Sequence, residues 1–266
     1  MLAESISFCY TGRKGKCNMN HQEYIWEIPG ASTAILMLHG FVGTPDHFEM
    51  LLPLVPADWS VYNILLDGHG KRVEDFAASS MEKWKKQIWD LFGELEKKYD
   101  QVVIAAHSMG TLFAIQLAVE RPEKISFLFL MAVPMRVGLR WFGVVNSIKV
   151  ALDRVDDTKP LEAATRNACS IQTDPRLWKY ITWVPRYLEL FREIRQTRDI
   201  LPSLKVPCYA FQSRRDELVS NRAGQLLENS GTVKVQYLPN SGHFYYEQED
   251  KARLLDAFKE VCKKHS

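Results

Sequence analysis

Ser108 stands in Ala106-His107-Ser108-Met109-Gly110, directly after an apolar run over 102–106 and ahead of a helix-forming stretch over 111–120. A serine at a strand-to-helix turn projects its hydroxyl, and small residues two positions to either side, here Ala106 and Gly110, let strand and helix approach closely. Serine is a weak nucleophile at neutral pH. It needs a positioned base, an acid to orient that base, and N–H donors for the oxyanion that forms when it attacks a carbonyl.

Each of these parts can be sought separately. Of the seven histidines, His243 in Asn240-Ser241-Gly242-His243 follows an expected last strand over 233–238 and precedes an expected final helix. That places it at the C-terminal edge of a sheet. His39, His69 and His107 sit inside glycine-containing turns, where fixing the backbone is the expected role, and His21, His47 and His265 have only a surface role by default. The acid should precede His243 and follow a strand, and Asp216 in Gln212-Ser213-Arg214-Arg215-Asp216-Glu217 meets that condition, with Glu217 as its close rival. Donors are expected from the main-chain N–H groups of Phe41, in Leu38-His39-Gly40-Phe41-Val42-Gly43, and of Met109.

Taken singly, each piece has a plainer explanation: Ser108 as a helix N-cap, the glycines as a turn, Asp216 as a cap or as a partner for Arg214 or Arg215. Together they fall in the order loop, Ser, Asp, His, each at the C-terminal end of an expected strand. Such a set would carry out acyl transfer on a small-molecule acyl ester. Neither an HExxH pair nor a phosphate-binding glycine loop occurs, so no metal or organic cofactor is expected.

The elements that must hold these residues follow from apolar patterning. Short, nearly continuous apolar runs at 34–38, 61–66, 102–106, 125–133 and 206–212 have the pattern of strands covered on both faces, that is, a parallel sheet. Met81, Trp84, Ile88, Leu91, Phe92 and Leu95 recur at helical spacing behind Ser79-Ser80-Met81-Glu82, which has the form of a capping box. Further helices should run from Ser108 to just before Pro122 and through Leu254, Leu255, Phe258 and Val261. Residues 6–10 and 23–28 would add antiparallel edge strands around a turn at 12–15.

Residues 135–201 break this rhythm, with helical patterns such as Val184, Tyr187, Leu188, Phe191 and Ile194 and without a convincing strand. The expected organisation is an α/β core of 1–134 and 202–266 with a helical lid inserted at 135–201. Its large side chains, Trp141, Phe142, Trp178, Tyr180, Trp183 and Tyr187, either pack the insertion onto the core or line an acyl-chain pocket.

Composition sets the outer bounds. At 266 residues and 46% hydrophobic, the chain suits one large domain with an insertion. A net charge of +2, from 34 basic and 32 acidic residues, provides no drive toward nucleic acid or an anionic membrane. Five scattered cysteines without CxxC spacing argue against a disulfide framework and fit a reducing compartment. The N-terminus lacks a signal-like pattern and the longest apolar stretch, near 125–135, is too short to span a bilayer. A cytoplasmic protein without integral membrane association, monomer or homodimer, is expected.

With these residues in view, the chain resembles the α/β-hydrolase superfamily over about 34–264. Asp67-Gly68-His69-Gly70 is similar to the D-x-x-G-H-G turn of lidded members, with one residue fewer after the aspartate. The short Leu-His-Gly-Phe loop and the His-Ser-Met-Gly elbow are similar to the carboxylesterase and monoacylglycerol lipase branch; Ala106 and Thr111 stand where many members have glycine. The resemblance implies an α/β-hydrolase fold, a mostly parallel central sheet with helices on both faces, and hydrolysis through Ser108, His243 and Asp216. Some members carry the acid after the preceding central strand, but 132–138 holds no carboxylate. A serine nucleophile sets the chain apart from haloalkane dehalogenases and epoxide hydrolases, which use aspartate there. Peptidase, thioesterase, cofactor-free lyase or perhydrolase activity, and a low-turnover ligand-binding receptor, all remain compatible with the same scaffold.

Overall fold

The computed structural model describes residues 21–265. Seven strands, β1 (Tyr24–Trp26), β2 (Thr33–Leu38), β3 (Ser60–Asn63), β4 (Gln101–His107), β5 (Ile125–Met131), β6 (Cys208–Ser213) and β7 (Val233–Leu238), form one sheet in the order β1-β3-β2-β4-β5-β6-β7. All neighbours are parallel except β1, which runs antiparallel along β3. The chain starts at the edge strand β1, passes to β2, steps back outward to β3 and then crosses to β4, from which it winds the other way to β7, so the direction reverses between the adjacent strands β2 and β4. Their C-terminal ends open the crevice in which parallel α/β sheets place their sites.

Side-chain alternation sorts the apolar strand residues between two cores. Leu36, Ile104 and Leu128 face one side, in one core with α1 (Val73–Ala77) through Phe76, α2 (Met81–Lys98) through Trp84, Ile88 and Phe92 and α3 (Met109–Glu120) through Leu112, Phe113 and Ile115. Met37, Val103, Phe127 and Phe129 face the other, against Phe258 and Leu254 of the C-terminal helix and Phe48 after β2. With helices over both faces, inward and outward positions alike are buried. This is why β4 is apolar at nearly every residue.

Three sequence expectations need correction. The capping box does not form as Ser79 and Glu82: Ser80 is the N-cap of α2 and accepts from Lys83 N–H at 3.1 Å, while Ser79 donates to Asp67 Oδ2. The Met81 N–H is instead taken by Glu189 Oε2 at 3.0 Å, a partner 108 residues away. The run 61–66 pairs only as far as Asn63, because the chain then turns at Gly68 and Gly70, both at positive φ. The expected 23–28 edge strand shortens to β1, and the expected strand at 6–10 with its turn at 12–15 lies outside the described residues.

Between β5 and β6 the chain forms α4 (Trp141–Ala151), α5 (Pro160–Asn167), a 3-10 segment (Leu177–Trp183) and α6 (Val184–Ile200). The later half is tied to the core. Gln116 of α3 donates to Glu193 and Thr197 at 2.9 Å each, Trp183 Nε1 donates to Val73 O at 3.0 Å, and Arg186 donates to the carbonyls of Ala77 and Ser79. The large aromatic residues divide. Trp183 is buried with Tyr180 stacked beside it, Tyr187 lies on Phe41 at 4.9 Å, and Trp141 and Trp178 remain 78% and 66% exposed.

Candidate active site

Ser108 links β4 to α3 as the residue between them, with φ 51° and ψ −122°, a region that L-residues occupy at a cost of about 1–3 kcal/mol and that clusters at functional turns. The turn needs glycine at 110, since a Cβ there would lie 2.2 Å from the Leu38 carbonyl oxygen. Ala106 is fully buried within β4 and needs no such space. Thr111, the other departure from glycine, donates its hydroxyl to the Ser108 carbonyl at 2.6 Å and closes the first turn of the helix.

The loop after β2 packs directly against this elbow; a Cβ on Gly40 would stand 3.1 Å from the Ser108 Cβ. Three consecutive carbonyls of this loop are engaged. Gly40 O accepts from Gly43 N–H at 3.0 Å and from His39 Nδ1 at 2.9 Å, Phe41 O from His69 Nε2 at 2.7 Å, and Val42 O from Ser170 N–H at 2.9 Å. His39 Nε2 in turn accepts from Leu66 N–H at 3.1 Å, which assigns its proton to Nδ1. Met109, the first residue of α3, has no intrahelical acceptor for its N–H.

His243 lies 135 residues from Ser108 in sequence, yet its Nε2 is 3.0 Å from Ser108 Oγ. Its Nδ1 is 2.9 Å from Asp216 Oδ2, while Asp216 Oδ1 accepts from the Leu218 and Val219 N–H groups at 2.8 and 2.7 Å. Those two amides orient the carboxylate so that one oxygen faces the imidazole. Burial pulls the His243 pKa down, but the Asp216 charge, its hydrogen bond and the Glu217 charge outweigh burial and leave it above 6.5.

The sequence model of the alpha/beta hydrolase family matches residues 35–257, spanning β2 through the C-terminal helix. This chain belongs to the α/β hydrolase family. Among curated proteins, this α/β hydrolase is 28% identical over 244 residues to a thermostable monoacylglycerol lipase of Bacillus sp. (strain H-257), covering 87% of this chain and 91% of that one. It is 21% identical over 222 residues to a carboxylesterase of Bacillus subtilis (strain 168), covering 80% and 85%. Among solved structures it is similar to the metagenome-derived lipolytic enzymes LipS and LipT, with a TM-score of 0.71 at 20% identity over 92% of this chain and 98% of that one. The monoacylglycerol lipase of Paleococcus ferrophilus follows at 0.64 and 17%, again over 92% and 98%. These structural likenesses establish the α/β-hydrolase fold.

The fold thus brings Ser108, His243 and Asp216 within hydrogen-bond distance of one another, and the rivalry between Asp216 and Glu217 is resolved by direction. Asp216 faces the imidazole, whereas Glu217 Oε2 accepts from the His243 main-chain N–H at 2.9 Å. The three histidines given a surface role by default lie at intermediate exposure, and each ring also has a partner within the fold. His47 stacks on His107 at 3.8 Å, His265 on Phe127 at 4.8 Å, and His21 reaches Thr44 Oγ1 at 3.0 Å. For His47 a signal was present: Thr44 caps and Pro45 opens a 3-10 turn at Pro45–Phe48, which folds the chain back under the site. His107 was expected to fix backbone, and it does so at long range, with Nε2 3.0 Å from the His243 carbonyl oxygen. No described helix is long and apolar enough to cross a membrane.

Proposed function

We propose that this α/β hydrolase cleaves carboxylic esters, either of short to medium acyl chains or monoacylglycerols, through an acyl-enzyme on Ser108. The observation that carries the reading is His243, placed between Ser108 Oγ at 3.0 Å and Asp216 Oδ2 at 2.9 Å. His243 takes the hydroxyl proton as Ser108 Oγ bonds to the ester carbonyl carbon. The negative charge moves to the carbonyl oxygen, where the Phe41 and Met109 N–H groups receive it. The C–O bond to the alcohol then breaks and His243 returns the proton to the leaving oxygen. Water repeats the sequence on the acyl-enzyme and frees the acid and Ser108. These steps draw on no cofactor.

Residues 135–201 act in this proposal as the lid, and the half-buried Phe41 and Val42 beneath it, with Val137 at its start, suit an acyl chain better than a charged substrate. The names of the two curated relatives, a carboxylesterase and a monoacylglycerol lipase, support the same class. Treatment with a fluorophosphonate probe and peptide mapping should place the label on Ser108 and lose it in Ser108→Ala; an unlabelled wild type would sink the reading. A panel of nitrophenyl esters, monoglycerides, thioesters, peptides and emulsified triglyceride should then show fastest turnover on short or medium esters and monoglycerides.

A further inference from the structure

His243 lies outside regular structure, in the loop between β7 and the final helix, so no ladder or helix holds its main chain. Instead, two dipeptides from distant parts of the sequence hold it at four points. His107-Ser108 meets the carbonyl through His107 Nε2 at 3.0 Å and the ring through Ser108 Oγ at 3.0 Å. Asp216-Glu217 meets the ring through Asp216 Oδ2 at 2.9 Å and the main-chain N–H through Glu217 Oε2 at 2.9 Å. Each dipeptide uses one side chain on the imidazole and one on the peptide.

The Glu217 half of this arrangement carries a cost to stability. Glu217 is only 2% exposed, and its Oε1 is buried without a hydrogen-bond partner among the described residues. A buried acceptor without a donor is a net cost to folding, so folding stability by itself would favour an apolar side chain at this position. The surroundings are nonetheless shaped to it. A Cβ on Gly242 would come within 2.8 Å of Glu217 Oε2, and one on Gly143 of α4 within 2.9 Å of the Glu217 Cβ. Glycines at these two places let the base loop and the insertion close directly around the carboxyl group.

We infer that Glu217 is a positioning residue for the reaction, its carboxyl group holding the His243 peptide so that the imidazole stays in line between Ser108 and Asp216. It acts on the base through the backbone and does not touch the reacting atoms. The bond, rather than the charge, performs this role, because an amide oxygen at the same place accepts the same N–H.

The inference rests on His243 being the base, and the test separates the two ideas. Wild-type labelling of Ser108 by a fluorophosphonate comes first; its failure removes the functional reading itself. With labelling established, Glu217→Ala should lower kcat and the labelling rate roughly 10- to 100-fold with KM within about twofold, the scale of loss that misplacement of a reacting group brings. Glu217→Gln, which keeps an acceptor, should recover to within about threefold of wild type. Wild-type rates in Glu217→Ala, a loss confined to KM, or equal damage in Glu217→Gln would each overturn the inference. Should Glu217→Ala not fold, hydrogen exchange of the His243 amide in the wild-type protein gives the answer: protection comparable to β6 amides supports the clamp, and exchange at open-loop rates overturns it.

Discussion

His69 Nε2 stands 2.7 Å from the Phe41 carbonyl oxygen, so the turn after β3 holds the loop after β2 that borders Ser108. With Gly40 O, Phe41 O and Val42 O all engaged, the peptide units on both sides of Phe41 are fixed, and the Phe41 N–H takes no acceptor among the described residues. His69→Ala should therefore lower kcat about 10- to 100-fold on a nitrophenyl ester while leaving KM nearly unchanged, a loss within the range for a weakened oxyanion donor of about 3 kcal/mol. Steady-state kinetics on the folded variant measures both terms, and a change in KM alone would contradict the assignment.

The direction of the His243 shift sets the pH profile. As the proposed base, His243 works in its neutral form, and despite burial its pKa is held above 6.5 by Asp216 and Glu217, so kcat/KM should rise with pH through a midpoint above 6.5. Asp216→Asn removes the largest of the raising influences. It should move that midpoint downward and, by losing control of the imidazole tautomer, lower kcat by up to about 10⁴-fold. A midpoint unchanged in the variant would argue against Asp216 as the partner that sets the charge on the base.

Buried neutral histidines set the acid stability. Burial lowers His47 to about 3 and His69 to about 4, and it lowers His39 and His107 well below 6.5, helped by neighbouring histidines. Unfolded, each would take up a proton near 6.5. Between that pH and the folded value the unfolded state therefore binds more protons, and stability is lost as pH falls, by about 1.4 kcal/mol per pH unit for each group. His243 runs the opposite way only above 6.5, where its folded form keeps a proton that the unfolded chain has released; below that it is charged in both states and contributes no difference. Urea midpoints from pH 7 to pH 4.5 should fall, with an uptake on unfolding that approaches about four protons, one for each of these rings; a flat profile would contradict their buried neutral state.

Two substitutions at the elbow should have opposite outcomes. Gly110→Ala drives a Cβ into the Leu38 carbonyl at 2.2 Å, and the strand and helix must separate, so the variant should be destabilised by about 3 kcal/mol or more, beyond the usual range for a single change. Ala106→Gly restores the residue common at this place in the family and needs no movement. It should keep activity and cost only about 0.5–1 kcal/mol through backbone entropy. Thermal unfolding of both proteins, with esterase assays on the second, makes the comparison.

Much of the arrangement was legible in the sequence because it depends on local structure. An apolar run followed by a small-Ser-small turn specifies a strand, an elbow and a helix within some twenty residues, and Ser108, Asp216 and His243 each follow a run of this kind. Glycine at 40, 43 and 110 announced close packing before any contact was known. What the sequence by itself determined, then, was the order of the strands along the chain, their coverage on both faces and the residue types at their C-terminal ends. Which of Asp216 and Glu217 faces the ring, that His47 lies beneath His107, and that Met81 is capped by Glu189 were decided only by the tertiary structure. Each depends on the approach of segments that are 26 to 108 residues apart, and adjacent carboxylates of the same chemistry differ there only in the direction the folded backbone imposes on them.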